Sequence, residues 1–436
     1  MTFSIGIDFG TTNSVVAIAS DNGHVESLRW PSALQDADGA SLTETFRTAL
    51  MFWQECRPPR ATLHHVAGPQ AIARAISGQS GQRFVQSIKT YLASAAFTEA
   101  RLYGKRFAIE EVVAIFLRHL TERPAGEAPL ARADHVISGR PVVFAGHNAD
   151  EGLALDRLGK AYAMAGFANV EFAFEPLGAA YYYARDLKRD ETVLVADFGG
   201  GTSDFSVMRF ERRGGRMQAR PLAHGGCPRA GDTFDYRLID HLVAPKLGKG
   251  SLVRSFGKLL PLPAYLHAAF AQWHQLSFLK SAATMSELKK LILASQSPDE
   301  LQALSDMIEL DLGFELHQAI AAVKVALSDH ETASLRFDAG GVRIHAEVAR
   351  TDFEKWIAPD LADIAGAMDA TLKRASLESR QIDAVFLTGG SSYVPALRRI
   401  FTDRFGAERI HIGHAFQSVA CGLALLAADQ TRRQAA

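Results

Sequence analysis

Two short segments carry residue types suited to holding phosphates. Ile7-Asp8-Phe9-Gly10-Thr11-Thr12-Asn13 and Ala196-Asp197-Phe198-Gly199-Gly200-Gly201-Thr202 each run from an apolar stretch through Asp-Phe-Gly into a small polar turn, and a second apolar stretch follows each. Glycine lets a backbone approach an anion closely and adopt positive φ. Consecutive N–H groups in such a turn form an anion-binding nest, and threonine hydroxyls add donors. An aspartate at the strand end stands beside the phosphates, where its oxygens can hold hydrated Mg²⁺. A third glycine pair, Gly389-Gly390, ends the apolar run Asp383 to Thr388 and offers a place for a base or ribose. The first two segments lie about half the chain apart and read as a weak internal repeat, which implies two related lobes.

Asp-Phe-Gly also occurs in protein kinases, but this chain has no VAIK-like lysine and no HRD-like loop. It has no GxxxxGK[ST] phosphate loop either. Either turn alone is compatible with a glycine turn that binds nothing; the pair in matching context is a more specific signal.

The elements that must position these turns follow from periodicity and punctuation. Ser4 to Phe9 and Ser14 to Ser20 read as a hairpin, with a third strand over His24 to Trp30. From about Asp36 to Gly104 the pattern is mixed and irregular. Helices are expected over Glu110 to Thr121, Ala149 to Ala165 and Gly178 to Leu187, and strands over Asp134 to Ser138 and Val170 to Phe174. Thr192 to Ala196 and Asp204 to Phe210 flank the second turn. From Leu242 to Gly313 the pattern is helical, punctuated by prolines, and a helix continues over Glu315 to Leu327. Ser334 to Val348 reads as strands turning at Ala339-Gly340-Gly341, and Thr351-Asp352-Phe353-Glu354 has the spacing of a capping box. Asp383 to Thr388 is a buried strand, and helices over Pro395 to Phe405 and Ser418 to Asp429 complete the chain.

The chain has 436 residues, too many for one ordinary core. With 47 Lys+Arg against 48 Asp+Glu, the net charge of -1 gives no reason to expect nucleic-acid binding. Cys56, Cys227 and Cys421 form no CxxC pair, so a disulfide framework is not expected and a cytoplasmic address fits. The opening Met-Thr-Phe-Ser-Ile-Gly-Ile-Asp lacks the features of a signal peptide. The apolar run Val419 to Ala428 is about half the ~20 residues of a membrane span and reads as a buried helix.

Several motifs resemble those of DnaK-type heat-shock chaperones. Gly6-Ile7-Asp8-Phe9-Gly10-Thr11-Thr12-Asn13-Ser14 is similar to their first phosphate motif, and Asp197-Phe198-Gly199-Gly200-Gly201-Thr202-Ser203-Asp204 to their second. Glu175-Pro176-Leu177-Gly178-Ala179-Ala180 resembles the Glu-Pro-x-x-Ala-Ala stretch before it. Gly231-Asp232-Thr233-Phe234-Asp235 resembles the motif after it, and Leu387-Thr388-Gly389-Gly390-Ser391-Ser392 the adenosine motif. Order and spacing hold from residue 4 to about residue 425, and the layout looks like the truncated YegD-like members.

The resemblance implies an α/β protein of the actin-like ATPase fold, a ribonuclease H-like duplication with two lobes, each a mixed sheet flanked by helices. Lobe I would cover residues 1-188 and lobe II residues 189-436, with an enlarged helical region at about 242-313. ATP or ADP with Mg²⁺ would be the ligand. Asp8 and Asp197 would take the metal, mostly through water. Gly10, Thr11, Thr12, Asn13, Gly199, Gly200, Gly201 and Thr202 would meet the phosphates, with Thr202 and Asp197 also counted as catalytic. Glu175 would position the metal waters or the attacking water, and Lys89 would orient that water near the γ-phosphate. Gly231, Asp232, Lys324, Ser328, Gly389, Gly390, Ser391 and Tyr393 would hold the nucleoside. Slow hydrolysis driving lobe closure would control a protein partner, with a cochaperone or exchange factor possible. A nucleotide sensor with little turnover, a sugar-kinase-like phosphotransferase and an actin-like filament protein stand as alternatives.

Four departures from the family pattern matter. No peptide-binding domain or lid of the family's kind is expected within these residues after the ATPase region. The family's ribose-contacting glutamate falls on Ala321. The adenine-packing arginine falls on Tyr393, whose ring can still stack. The Pro-Asp that opens the last motif is Ala415-Phe416. Phosphate contacts are thus kept while nucleoside contacts change. Leu259, Leu260, Leu262, Tyr265, Leu266, Phe270, Trp273 and Leu276 form an apolar stretch at roughly helical spacing, which suits core packing or a docking surface.

Overall fold

A computed structural model describes residues 3–20, 22–32, 42–57, 60–77, 81–123, 129–146, 148–185, 187–213, 216–255, 257–269, 279–413 and 417–434. The chain forms two compact units. One comprises Met1–Ala230, Asp363–Tyr393 and Leu397–Ala436; the other comprises Gly231–Ala362 and Val394–Ala396.

The first unit contains two sheets of the same construction. In one, Phe3–Asp8 pairs antiparallel with Asn13–Ser20, which pairs antiparallel with Val25–Ser27. On its other side Phe3–Asp8 runs parallel to His135–Arg140, itself parallel to Glu171–Phe174. In the other sheet, Glu191–Phe198 pairs antiparallel with Ser203–Arg213, and that with Arg216–Cys227. On its other side Glu191–Phe198 runs parallel to Ala384–Thr388, itself parallel to Ile410–Ile412. Leaving aside the short strand Phe46–Arg47, which pairs with Asn13-Ser14 in the first sheet, both sheets read third, second, first, fourth, fifth strand in order of appearance. The weak repeat in the sequence is a repeat of topology, as the ribonuclease H-like duplication requires. The proposed lobe boundary at 188/189 separates the two copies of this repeat.

Glu191–Phe198 is buried along its whole length, as a central strand covered on both faces must be. The helices that follow the fifth strands, Glu175–Ala184 and Ser418–Gln434, pack against each other. Glycine makes the crossing possible: a Cβ on Gly422 would stand 1.7 Å from the Gly178 carbonyl oxygen, and one on Gly178 would stand 2.6 Å from that of Val419. The same helix lies on the first strand, where a Cβ on Gly6 would meet the Ala420 carbonyl oxygen at 2.1 Å. Ala420, Ala424 and Ala428 then pack on Val15, Ala17 and Ala19. The apolar run near the end is thus a buried helix, as its length implies. Among the described residues no helix is long and apolar enough to cross a membrane.

Residues 36–104, irregular by pattern, contain a three-stranded antiparallel sheet. Ala49–Arg57 lies between Arg60–Ala67 and Gln82–Gln86, and helix Gly68–Ile76 sits in the connection. Leu63, His64 and Val66 are only half-buried, so the strand lacks the apolar alternation that would announce it. Arg216–Cys227 is also hidden in the sequence, by Pro221, Gly225 and Gly226; it is an edge strand with a register shift beside the proline, where proline is tolerated.

In the second unit, the expected all-helical stretch from 242 to 313 is corrected. It contains the hairpin Leu252–Ser255 with Lys258–Pro261, turned at Gly257 with φ +77°, before helices Tyr265–Ala268, Ala282–Ala294 and Pro298–Glu309. Leu259 and Leu260 are half exposed on that hairpin, Leu266 is buried, and Phe270, Trp273 and Leu276 lie outside the described residues. Hairpin Thr332–Ala339 with Val342–Ala349 turns at Gly340-Gly341 as read, both glycines having positive φ. Helix Arg350–Arg374 begins before Thr351, which sits in its first turn rather than capping it.

Candidate functional site

The first turn is drawn tight by local geometry and by one distant residue. A Cβ on Gly10 would stand 2.1 Å from the Asn13 carbonyl oxygen, so the close turn through Thr11 and Thr12 requires glycine. Thr48 closes it from outside. Its N–H donates to the Thr12 carbonyl at 2.9 Å, its hydroxyl donates to the Gly10 carbonyl at 2.8 Å, and it shares a hydrogen bond with the Ser14 hydroxyl. Thr48 is buried and lies in the stretch that read as irregular, so nothing local announces it.

At the second turn the Gly199 N–H donates to the Thr202 carbonyl at 3.1 Å, and the Thr202 hydroxyl donates to Asp204 Oδ2 at 2.8 Å. Asp204 Oδ1 accepts from the backbone N–H groups of Val142 and Val143 at 2.7 and 3.2 Å. One carboxylate thus ties the second hairpin to the loop leaving His135–Arg140. Asp204 ends the second motif, and nothing in its sequence neighbourhood announces this role. A Cβ on Gly201 would stand 3.6 Å from Thr11 Oγ1, so the two turns face each other across Gly200-Gly201. Gly389, at φ +82°, would place a Cβ 2.2 Å from the Phe198 carbonyl oxygen; the third glycine site abuts the end of the second aspartate's strand. The Ser391 hydroxyl reaches the Gly199 carbonyl at 3.5 Å, in the short turn Gly390–Tyr393. Tyr393 lines a cavity of about 820 Å³ with Tyr183, Phe386 and His411.

Between the hairpins lies a buried ion pair. Lys89 Nζ donates to Glu175 Oε1 at 2.5 Å, and both side chains are over nine-tenths buried. Lys89 comes from the turn Ile88–Tyr91, entered through Ser87 at φ 52°. Glu175 heads helix Glu175–Ala184 and lies over Gly139, where a Cβ would come within 2.9 Å of its Cγ. Burial, then the charge of Glu175, raises the pKa of partly buried Asp8 to about 7 against the opposing pull of Lys89. Burial and the neighbouring carboxylates Glu175, Asp8 and Asp204 push Asp197 well above the usual range. Burial and Glu175 raise Asp204 to about 7, opposed by its hydrogen bonds from Thr202, Val142 and Val143. For Lys89 burial disfavours the ammonium, but Glu175 and Asp8 outweigh it and hold its pKa above the ordinary value.

Four carboxylates therefore converge around one ammonium. Such an excess of desolvated anionic oxygen fits a hard divalent cation, and the donors are of the kind Mg²⁺ accepts. Among the described residues no group of three or more His, Cys, Asp or Glu is arranged to hold a metal ion directly.

The structure brings Asp8, Thr11, Lys89, Glu175, Asp197, Gly201 and Thr202 into one neighbourhood, with Gly389 and Ser391 beside it. Gly231, Asp232, Lys324 and Ser328 belong to the second unit, where they form a group of their own. Lys324 Nζ lies 2.8 Å from Asp235 Oδ1 and donates to the Gly231 carbonyl at 3.3 Å; the Ser328 hydroxyl donates to the Lys324 carbonyl at 3.2 Å. Ala321 is on the same helix, Gly313–Asp329. Ala415-Phe416 lies outside the described residues.

Known proteins resemble this chain along most of its length. The family model described as "Hsp70 protein" matches residues 68–251 and 308–431. The chain is 25% identical over 435 residues to the "Chaperone protein DnaK" of Thermus thermophilus, covering 98% of this chain and 61% of that protein. It is 25% identical over 439 residues to the protein of the same name from Deinococcus radiodurans, covering 98% and 59%. The chain thus spans about three-fifths of the length of these relatives. By its matched residues and its duplicated architecture, the chain belongs to the Hsp70 protein family and has that family's actin-like ATPase fold.

Proposed function

We propose that the protein binds ATP with Mg²⁺ between the two facing turns and hydrolyses it slowly, as a chaperone-like switch that controls a protein partner. The observation that carries this reading is the buried Lys89–Glu175 pair among Asp8, Asp197 and Asp204, beside two glycine-threonine turns. Phosphoryl transfer needs positioning and charge neutralisation more than covalent chemistry. The turns of Gly10 to Asn13 and Gly199 to Thr202 bind and orient the phosphates through N–H and hydroxyl donors. Bound Mg²⁺ would neutralise phosphate charge, with Asp8 and Asp197 holding its waters. Lys89 orients the attacking water, and Glu175 fixes Lys89 and accepts from the same water. In the ADP state the turns lose their γ-phosphate contacts, and the resulting change in lobe closure is what the partner reads. The similarity to the chaperone protein DnaK of two bacteria supports the chaperone role; a cochaperone or exchange factor would act on the same cycle.

Isothermal titration and single-turnover hydrolysis test this reading together. The parent is expected to bind Mg²⁺·ATP and turn it over slowly. Asp197→Asn is expected to bind at least tenfold more weakly in the presence of Mg²⁺ and to lose turnover. With Ala321 and Tyr393 at the nucleoside positions, GTP is expected to bind within about tenfold of ATP, a difference of about 1.4 kcal/mol. Binding without any turnover favours the sensor reading; no binding by the parent ends both.

The carboxylates also predict a pH signature in metal- and nucleotide-free protein. Folding raises the Asp8 pKa from 3.8 to about 7, so its contribution is fully favourable below the unfolded pKa and is lost as pH rises through 7. Asp8→Asn does not titrate. Its stability relative to the parent should therefore increase between pH 4.5 and pH 8, measured as about a shift in urea midpoint at each pH. A difference that stays constant with pH would show that Asp8 ionises normally.

A further inference from the structure

We propose that Arg140 is a positioning residue for Glu175, acting through Phe174. The two residues that end strand His135–Arg140 face opposite sides of the sheet, as successive strand residues must. Gly139 leaves room for the Glu175 side chain, while Arg140 is in register with Phe174 and covers it. The guanidinium carbon stands 4.7 Å from the Phe174 ring centroid and 5.5 Å from that of Phe144. The His224 ring lies against Phe174 as well, centroids 4.6 Å apart. That imidazole is fixed by a hydrogen bond between Nδ1 and the Ser206 hydroxyl, and the His224 carbonyl accepts from Arg374 at 2.9 Å. Phe174 is therefore held by a cation and an imidazole, and it is the residue immediately before Glu175 at the head of the helix.

Arg140 is an expensive way to fill this space. It is 7% exposed, and its Nη2 is buried with no hydrogen-bond partner among the described residues. Nη1 pairs with Glu151 at 2.7 Å, a carboxylate 59% exposed, and Nε donates to the Pro141 carbonyl at 3.1 Å. An apolar residue of similar volume would leave no such unpaired donor. A local rule broken beside the candidate catalytic pair points to a positioning role. If Phe174 turns, the head of the helix turns with it and the Glu175 carboxylate leaves Lys89. A misplacement of about 1 Å is enough to slow chemistry about a hundredfold.

This proposal rests on the hydrolysis reading, so its test has a second readout. In the full chain, Arg140→Met keeps an unbranched side chain and removes the cation; Arg140→Lys keeps the cation. Arg140→Met is expected to slow single-turnover hydrolysis about a hundredfold, with Mg²⁺·ATP affinity and the urea midpoint close to parental values. Arg140→Lys is expected to recover most of the rate. The ammonium resonance of Lys89, followed by NMR in nucleotide-free protein with ¹⁵Nζ-labelled lysine, should shift or vanish in Arg140→Met and persist in Arg140→Lys. Phe174→Leu, which removes the ring, should reproduce the Arg140→Met result and serves if the latter fails to fold. A parental rate in Arg140→Met, or rescue by Met but not Lys, would overturn the proposal. If the parent does not hydrolyse ATP, the ATPase reading fails by itself, and an unmoved Lys89 resonance in Arg140→Met overturns the positioning role independently.

Discussion

Lys89→Ala will slow single-turnover ATP hydrolysis by about 10²–10³-fold while ATP still binds, judged by the usual loss on removing one preorganised electrostatic group. The cause is local. Among the described residues Lys89 is the one ammonium beside Asp8, Glu175, Asp197 and Asp204, and its pair with Glu175 is buried. On the proposed mechanism, removing it leaves no ammonium to orient the attacking water, and it frees Glu175 to turn. The turns proposed to bind the phosphates are built from Gly10 to Asn13 and Gly199 to Thr202, with Thr48 and Asp204 behind them. None of these contacts uses Lys89, so binding should survive. Lys89→Arg is not expected to rescue, because a planar guanidinium needs more space than a buried ammonium and presents its donors differently. Quench-flow measurement with excess enzyme separates the chemical step from product release. A variant that hydrolyses at the parental rate would remove Lys89 from the mechanism and leave its buried pair as a structural contact.

Gly422→Val will be the most destabilising of the substitutions considered. The added Cβ would start 1.7 Å from the Gly178 carbonyl oxygen and 2.9 Å from the Tyr182 nitrogen, both backbone atoms that no rotamer change can move. Helices Glu175–Ala184 and Ser418–Gln434 must separate to admit it, and their separation opens the packing of Ala179, Ala180, Val419 and Leu423. Overpacking of this kind costs about 3 kcal/mol or more. The same displacement moves the helix that Glu175 heads, so residual folded protein should also hydrolyse ATP more slowly. Gly159→Ala is the matched control. Gly159 is within helix Glu151–Met164, and a Cβ there meets nothing within 4 Å. It should gain about 0.5–1 kcal/mol from the helical backbone alone. Urea unfolding of the three proteins checks both signs; a Gly422→Val midpoint equal to the parent's would mean the helices do not cross as closely as described.

What the sequence determined by itself was local. Asp8 and Asp197 at strand ends, the glycines that follow them and the returning strands are set within about ten residues of chain. Their hydrogen bonds and steric limits are therefore written in adjacent letters. Gly389 and the turn at Gly340-Gly341 were legible for the same reason, since positive φ favours glycine. The repeat of Asp-Phe-Gly pointed to two halves, and the matching strand orders of the two sheets bear that out.

Tertiary structure decided what depends on distant partners. Lys89 and Glu175 stand 86 positions apart in sequence, Asp204 reaches 62 residues back to Val142, and Thr48 closes a turn 38 residues before it. No periodicity encodes such meetings; each exists because two sheets and their connections arrive at one place. The sheet of Ala49–Arg57 escaped reading because its pairing with Gln82–Gln86 spans an intervening strand and helix, and its neighbour shows no clean alternation. The hairpin Leu252–Ser255 with Lys258–Pro261 looks helical in sequence because the exposed Leu259 and Leu260 imitate an apolar helical face when burial is unknown. Residue type can name a candidate ligand, but burial and charge neighbours alone make Lys89 a partner of Glu175 rather than a solvated surface lysine, and only the assembled fold supplies them.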